Sequence, residues 1–227
     1  MDERQALIKS NLEKIQALLP DGVMLLGASK TVPAEYINFA ADCGLKIIGE
    51  NRVNELLEKY DAIDKDKLDI HFIGHLQTNK VKYIIDKVSL IHSVDSIRLA
   101  EEISRRAMAL GKVMRVLVEI NIGGEESKGG IPPEETEKFI RDISLLEGIK
   151  VEGIMAIPPK CDEEEKNIEI YQKLRKIFID ISTKNVDNVN MRILSAGMSG
   201  DWQAALACGS NMLRIGSGIF GSRIYKN

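Results

Sequence analysis

Eight short runs rich in Val, Ile and Leu recur along this chain, and a helix-like pattern separates each from the next. The runs fall at 23–29, 45–49, 70–74, 89–94, 113–121, 151–157, 191–195 and 211–215. Helical spacings occupy 33–42, 51–60, 78–86, 96–110, 133–145, 163–182 and 200–208. Strands that alternate with helices pair in parallel, because each crossover returns the chain in the same direction. Eight is the number that closes such a sheet around its own side chains. The expected fold is therefore α/β, a single (β/α)8 barrel of the TIM type formed by residues 1–227. An extra amphipathic N-terminal helix precedes it at 2–19, apolar at Leu7, Ile8, Leu12, Ile15 and Leu19. A doubly wound open sheet is the other arrangement, but no Gly-x-Gly-x-x-Gly follows the first run, which weakens a dinucleotide-binding reading. The 227 residues are 44% hydrophobic and only 5% aromatic, which suits aliphatic strands buried on both faces. No linker, repeat or low-complexity tract marks a domain boundary. The acidic stretch Asp162-Glu163-Glu164-Glu165 reads as a helix N-terminus with favourable placement toward the macrodipole.

The formal net charge of −3 gives no general attraction to nucleic acid or to an anionic membrane. Cys43, Cys161 and Cys208 are far apart and form neither a Cys-x-x-Cys pair nor a metal spacing with histidine, so a reducing compartment is expected. The first residues, Met1-Asp2-Glu3-Arg4-Gln5, are charged and carry no signal-peptide apolar region. No apolar stretch reaches membrane-spanning length. A cytoplasmic protein is the expectation.

In a barrel of this class the site forms where strands end. The first run, Val23-Met24-Leu25-Leu26-Gly27-Ala28-Ser29, ends in Lys30 and is followed by Thr31-Val32-Pro33. A lysine there has two readings. It can run its stem along apolar walls and place its ammonium in water. In a drier pocket it becomes a nucleophilic amine able to form a Schiff base with a carbonyl. Two further loops resemble a phosphate cradle: Gly197-Met198-Ser199-Gly200 before a helix, and Gly216-Ser217-Gly218 after Arg214. Glycine lets main-chain N–H groups approach an anion, serine adds a hydroxyl, and the loops after strands seven and eight are a frequent phosphate site in this fold. Either loop alone is an ordinary Gly-Ser turn. Both together with Arg214 favour the cradle.

The other polar strand ends have plainer readings beside the functional ones. His75 is a candidate acid or base, or a loop histidine bonded to backbone. His71 and His92 lie inside strand runs and read as packed core or helix-facing residues. Lys128, in a Gly-rich loop, is a solvated charge or a residue at the mouth of a site. Glu50-Asn51-Arg52 reads as a cap for the next helix with Asn51 as N-cap, and Asp95-Ser96 as another helix start.

These segments carry a resemblance. Ala28-Ser29-Lys30-Thr31, Ile48-Gly49-Glu50-Asn51-Arg52-Val53-Asn54-Glu55, His71-Phe72-Ile73-Gly74-His75-Leu76-Gln77-Thr78-Asn79-Lys80, Ser195-Ala196-Gly197-Met198-Ser199-Gly200-Asp201 and Arg214-Ile215-Gly216-Ser217-Gly218-Ile219-Phe220-Gly221 resemble the pyridoxal phosphate homeostasis proteins, the YggS/PROSC-type family. The match runs from about residue 20 onward. His75 stands where proline is common in the family, and Ala196 where methionine is common. The resemblance implies a barrel like the N-terminal domain of alanine racemase. It implies pyridoxal 5′-phosphate (PLP) held as a Schiff base on Lys30, with Asn51 also among the cofactor-binding residues. The phosphate would lie on Ser199, Gly200, Gly216 and Ser217. Arg214 would face the pyridine nitrogen, unless it pairs with a carboxylate such as Asp201.

The function implied is binding and handling of PLP in vitamin B6 homeostasis, by buffering or delivery, with no catalytic residue assigned and no metal. The racemases with this barrel draw a second proton carrier from an additional β domain that this chain is expected to lack, and no base is evident opposite Lys30. PLP-dependent apoenzymes are the expected partners and a monomer the expected state. Three other readings stand beside this one. They are a low-activity PLP-dependent amino-acid racemase, a Schiff-base aldolase of phosphorylated substrates, and a protein-interaction module. A strand-end lysine facing a double phosphate loop speaks against the last.

Overall fold

The computed structural model describes residues 1–125, 129–159 and 163–222. Lys128, Cys161 and Asp162 lie outside them. Eight strands close into a barrel in chain order. They are β1 (Met24–Ala28), β2 (Ile47–Glu50), β3 (Asp69–Phe72), β4 (Leu90–Val94), β5 (Met114–Ile120), β6 (Ile149–Ala156), β7 (Val189–Ser195) and β8 (Met212–Ile215). Every neighbouring pair is parallel, and β1 closes on β8 with Leu26 opposite Arg214 and Gly27 opposite Ile215.

The helices are α1 (Glu3–Gln16), α2 (Ala34–Asp42), α3 (Val53–Lys59), α4 (Val81–Ile84), α5 (Ile97–Ala109), α6 (Thr136–Ser144), α7 (Glu164–Ser182), α8 (Trp202–Ala207) and α9 (Ser217–Phe220). The helix expected over 78–86 is a 3-10 turn at Thr78–Lys80 running into the single turn of α4. α1 begins with a reciprocal cap: the Gln5 N–H donates to Asp2 Oδ1 at 2.8 Å, and the Asp2 N–H donates to Gln5 Oε1 at 3.0 Å. Its Ile8, Leu12 and Ile15 are buried, whereas Leu7, expected on the same face, is exposed. α1 packs on α2 and α9, so it covers the seam where β8 meets β1.

Two apolar layers result. The larger lies between strands and helices. The smaller fills the barrel with Leu26, Ile73, Leu90, Leu117, Met155, Ile193 and Met212. Strand side chains alternate between the two. That alternation puts Ala28 of β1 inward and gives Lys30, two residues on, the same phase. It also puts His71, two before inward Ile73, and His92, two after inward Leu90, inside the barrel. Neither histidine faces a helix, because each is in phase with the inner leucines and isoleucines of its own strand.

Gly153 marks where β6 shifts register against β7. Its φ is +149°, and an added Cβ would lie 1.8 Å from the Ile193 carbonyl oxygen, so no side chain fits without moving a neighbouring strand. At Gly22 φ is +84° but a Cβ would meet nothing within 4 Å. Gly22→Ala is therefore expected to lower stability by about 1 kcal/mol through backbone strain alone. Gly153→Ala should cost more than about 3 kcal/mol or abolish folding. Urea unfolding of the two variants checks the contrast.

Candidate functional site

Lys30 sits just past β1 in a turn whose next residue, Thr31, has φ +62°. A non-glycine residue in the left-handed region needs to be held there, and three contacts do so. The Ser29 N–H donates to the Gly49 carbonyl at 3.0 Å. The Thr31 N–H donates to Glu55 Oε1 of α3. Lys59, at the end of α3, donates to the carbonyl oxygens of Ser29 at 2.8 Å and Val32 at 3.2 Å. The same ammonium meets Glu50 at 2.7 Å and Glu55 at 3.0 Å, and Ser29 Oγ donates to Glu50. Glu50 is fully buried. Burial pushes its carboxyl above the ordinary value while Lys59 pulls the other way. The segment expected to be a simple cap thus has another role: Glu50 anchors the lysine turn. The N-cap of α3 is Arg52 rather than Asn51, with no side-chain bond.

The β7–α8 loop is fixed from below. Tyr171 of α7 donates its hydroxyl to Asp201 Oδ2 at 2.7 Å, and Asp201 Oδ1 accepts from the Met198 N–H at 2.6 Å. Burial first and Asp201 second push the Tyr171 phenol up. The Gly218 N–H donates to Ser199 Oγ at 3.1 Å, which joins this loop to the start of α9. With both its oxygens engaged in this way, Asp201 is not the partner of Arg214.

Arg214, in β8, is 4% exposed. Its Nη1 donates to the main-chain oxygen and the hydroxyl of Ser195, each at 2.8 Å, and its Nη2 to the Ala156 carbonyl at 3.0 Å. No carboxylate lies within 4.0 Å of it among the described residues. Burial lowers its pKa to about 10, against the pull of Tyr171, Glu119 and Asp201.

These pieces meet in one cavity of about 730 Å³ at the C-terminal mouth of the barrel. Lys30, Ser199, Gly200, Arg214, Gly216 and Ser217 all line it. So does Arg4 from α1, whose guanidinium lies 4.4 Å over the Tyr36 ring. Nothing in the first residues signalled that role. Asn51 does not line it. It borders a smaller cavity of about 290 Å³ with Arg52, Asn54, His75, Gln77 and Lys80. Asp95 accepts no cap bond and instead faces His75 Nδ1 at 3.6 Å, while Ser96 is the N-cap of α5 without a side-chain bond.

Glu119 carries no motif in the sequence, yet the fold gives it a place at the barrel mouth. It ends the inward phase of β5, beyond Leu117. Burial first, then the nearby Asp95, raises its carboxyl to about 7, with Arg214 and His75 opposing. Its place among strand-end residues was the only available signal. The donor set fits a phosphorylated aldehyde: a lysine amine, two serine hydroxyls, and an arginine with no carboxylate partner. A Cβ on Gly200 would meet nothing within 4 Å, so the loop leaves space where an anion would rest.

Comparison with known proteins identifies the family. Residues 4–224 match the family model for the alanine racemase N-terminal domain. The pyridoxal phosphate homeostasis protein of Aquifex aeolicus (strain VF5) is 47% identical over 201 residues, 88% of this chain and 87% of that one. Its counterpart in Escherichia coli (strain K12) is 35% identical over 211 residues, 91% and 88%. The structure of PipY from Synechococcus elongatus PCC7942 with PLP bound superposes with a TM-score of 0.86 at 29% identity, covering 94% of this chain and all of that one. The chain belongs to the pyridoxal phosphate homeostasis proteins, within the alanine racemase N-terminal domain family.

Two outcomes test the site's physical construction. Lys59→Met should lower stability by about 3 kcal/mol or more, since it leaves Glu50 buried without its cation. Adding Glu50→Gln should recover part of the loss in urea unfolding, and no recovery would mean the two do not act as a pair. For Glu119, the folded chain keeps the proton to about pH 7, whereas the unfolded chain loses it near the ordinary value of about 4.3. Its contribution is therefore present below the unfolded value and is lost as pH rises through about 7. Glu119→Gln should match the parent Tm near pH 4 and exceed it near pH 8, as read by thermal scans at both ends of that interval.

Proposed function

We propose that this family member binds pyridoxal 5′-phosphate reversibly in the 730 Å³ cavity and serves intracellular PLP homeostasis as a buffer or donor. The observation that supports this best is the convergence of Lys30, Arg214 and the two serine-glycine loops on one cavity. Bound there, the cofactor would supply an aldehyde for condensation with an amine and a ring able to accept electron density. In this reading Lys30 presents the amine, and water leaves as the carbon–nitrogen bond forms. Ser199 and Ser217, with the main chain at Gly200 and Gly216, hold the phosphate. Arg214 keeps a cation beside the ring nitrogen, which favours the unprotonated ring and weakens it as an electron sink. PLP bound in PipY supports the same assignment, and the names of the relatives support the homeostatic role.

Delivery to PLP-dependent apoenzymes from a monomer in the cytoplasm completes the proposal. Catalysis is not part of it. The second reading, a low-activity racemase, gains one observation: Glu119 is a carboxyl at the barrel mouth with a pKa near neutrality, a property suited to proton transfer.

Borohydride reduction of the PLP-loaded protein and peptide mapping should place the label on Lys30. A label mainly on Lys80 or Lys128 would overturn that assignment. Lys30→Ala should lose the visible absorption band and stay folded, because the residue lies at the mouth and outside the packed layers. Deuterium exchange at the α-carbon of alanine and serine separates binder from racemase. Exchange at roughly 1 per second or faster, abolished by both Lys30→Ala and Glu119→Gln, would replace the first reading by the second.

A further inference from the structure

A line of polar side chains crosses the barrel from the end opposite the cavity. Asp69, the first residue of β3, lies at that end with 43% of its side chain exposed. Asp69 Oδ2 is 3.2 Å from His71 Nε2, His71 Nδ1 is 3.0 Å from His92 Nε2, and His92 Nδ1 is 3.3 Å from Ser195 Oγ. Ser195 Oγ accepts from Arg214 Nη1 at 2.8 Å. His71, His92 and Ser195 are 1%, 0% and 0% exposed, so water does not substitute for any of these partners.

We propose that His71, His92 and Ser195 form a one-directional hydrogen-bond chain, anchored on Asp69, that positions Arg214 in the cavity and holds it there as a cation without a carboxylate partner.

The direction follows from the chemistry of each group. Arginine only donates, so Ser195 Oγ accepts from it and its own proton is available to His92 Nδ1. In the chain proposed here that nitrogen is bare. A neutral imidazole carries one proton, so His92 has it on Nε2 and donates it to His71 Nδ1. His71 in turn carries its proton on Nε2 and donates it to Asp69, which when ionised only accepts. The reverse order fails at the last link, where a bare His71 Nε2 would face a carboxylate oxygen at 3.2 Å. A second proton on His71 would set its Nδ1–H against the His92 Nε2–H at 3.0 Å, and one on His92 Nδ1 would remove the acceptor that faces Ser195 Oγ at 3.3 Å.

The charged surroundings agree. His71 is faced by Asp69, Arg115 and Glu152, and His92 by His71, Arg214 and Arg115. Burial first, then these cations in the case of His92, keeps both imidazoles below their ordinary value and so neutral near pH 7. Burial raises the Asp69 carboxyl, but the bonds from His71 and Ser89 outweigh it and hold the group below its ordinary value. An anion at one end and a cation at the other polarise every bond between them in the same sense. His71, His92 and Ser195 are positioning residues in this scheme. Only the purpose served by Arg214 rests on reading the cavity as the PLP site.

The chain has three histidines, which makes nitrogen NMR of the cofactor-free protein decisive. Long-range 15N–1H correlation should show His71 and His92 neutral, with protons on Nε2 and bare Nδ1, between about pH 5.5 and about pH 8. Exposed His75 provides the solvent-facing reference. Asp69→Asn, which still offers an amide oxygen, should keep that pattern. Asp69→Ala should perturb His71, His92 and the Arg214 guanidinium signals, although the substitution is half exposed and at the far end of the barrel. A proton on Nδ1 of either imidazole, a charged imidazole at neutral pH, or unmoved His92 and Arg214 signals in folded Asp69→Ala would overturn the proposal. Because no cofactor is present, a failure of PLP to bind, seen as a missing visible band, is distinguishable from a failure of the chain.

Discussion

Lys59 and Glu50 meet at 2.7 Å with almost no access to water, and the turn that carries Lys30 hangs from that pair. Glu50 takes the Ser29 hydroxyl, and Lys59 takes the carbonyl oxygens on both sides of Lys30. A buried pair of this kind contributes little net stability, since desolvation consumes most of the Coulombic gain. Its value lies in position. A turn with a left-handed threonine would otherwise relax, and a reactive amine at its centre would sample many directions. The pair fixes the main chain and leaves the Lys30 side chain to point where the strand phase sends it. The phosphate-type loops use the same device with weaker charges, through Asp201, Tyr171 and the Ser199 hydroxyl.

The barrel interior obeys a different constraint. Eight short strands enclose too little space for water but too much for aliphatic side chains alone at the polar mouth. The leucine, isoleucine and methionine layer fills the middle and leaves Arg214 to be satisfied from inside. Carbonyl oxygens of Ser195 and Ala156 and the Ser195 hydroxyl do this. A carboxylate in their place would neutralise the charge that the cavity presents. Hydrogen bonding to uncharged oxygens keeps the guanidinium both buried and electrostatically available, at the cost of a pKa drawn down to about 10.

The barrel was legible because eight aliphatic runs alternate with segments of helical period, and the strands begin and end within a few residues of those runs. Lys30 and the two glycine-serine loops were legible because glycine, serine and lysine at strand ends have few packing uses. The braces were not. Lys59 reads as one more charge on a helix face, four residues after Glu55, and only the three-dimensional approach of α3 to the β1 turn gives it a partner. The resemblance groups Asn51 with the cofactor residues; it follows β2, the direct neighbour of β1, and borders a second cavity with Arg52 and His75. His71 and His92 carried no sign of their orientation. Strands buried on both faces lack the polar alternation that would mark the inner side, so phase had to come from the neighbours in space. Glu119 was hidden for the same reason: an acid inside a strand run looks like an edge residue until the barrel closes around it.

The proposed site separates two kinds of pyridoxal chemistry. A cation beside the pyridine nitrogen, as proposed for Arg214, would oppose its protonation and weaken the ring as an electron sink, which suits a racemase-like or an inert site better than a transaminase. Glu119, whose carboxyl burial and Asp95 raise and Arg214 and His75 lower, is the described residue with a proton near neutrality at this end of the barrel. A proton carrier held near neutrality is useful only if it reaches the reacting carbon, and the residues that line the cavity are Lys30, Arg214 and the phosphate-type loops rather than Glu119. The proposal of a reversible carrier draws on that separation: the amine and the loops of the proposed anion cradle share one cavity, and the carboxyl that titrates near neutrality is not among its lining residues.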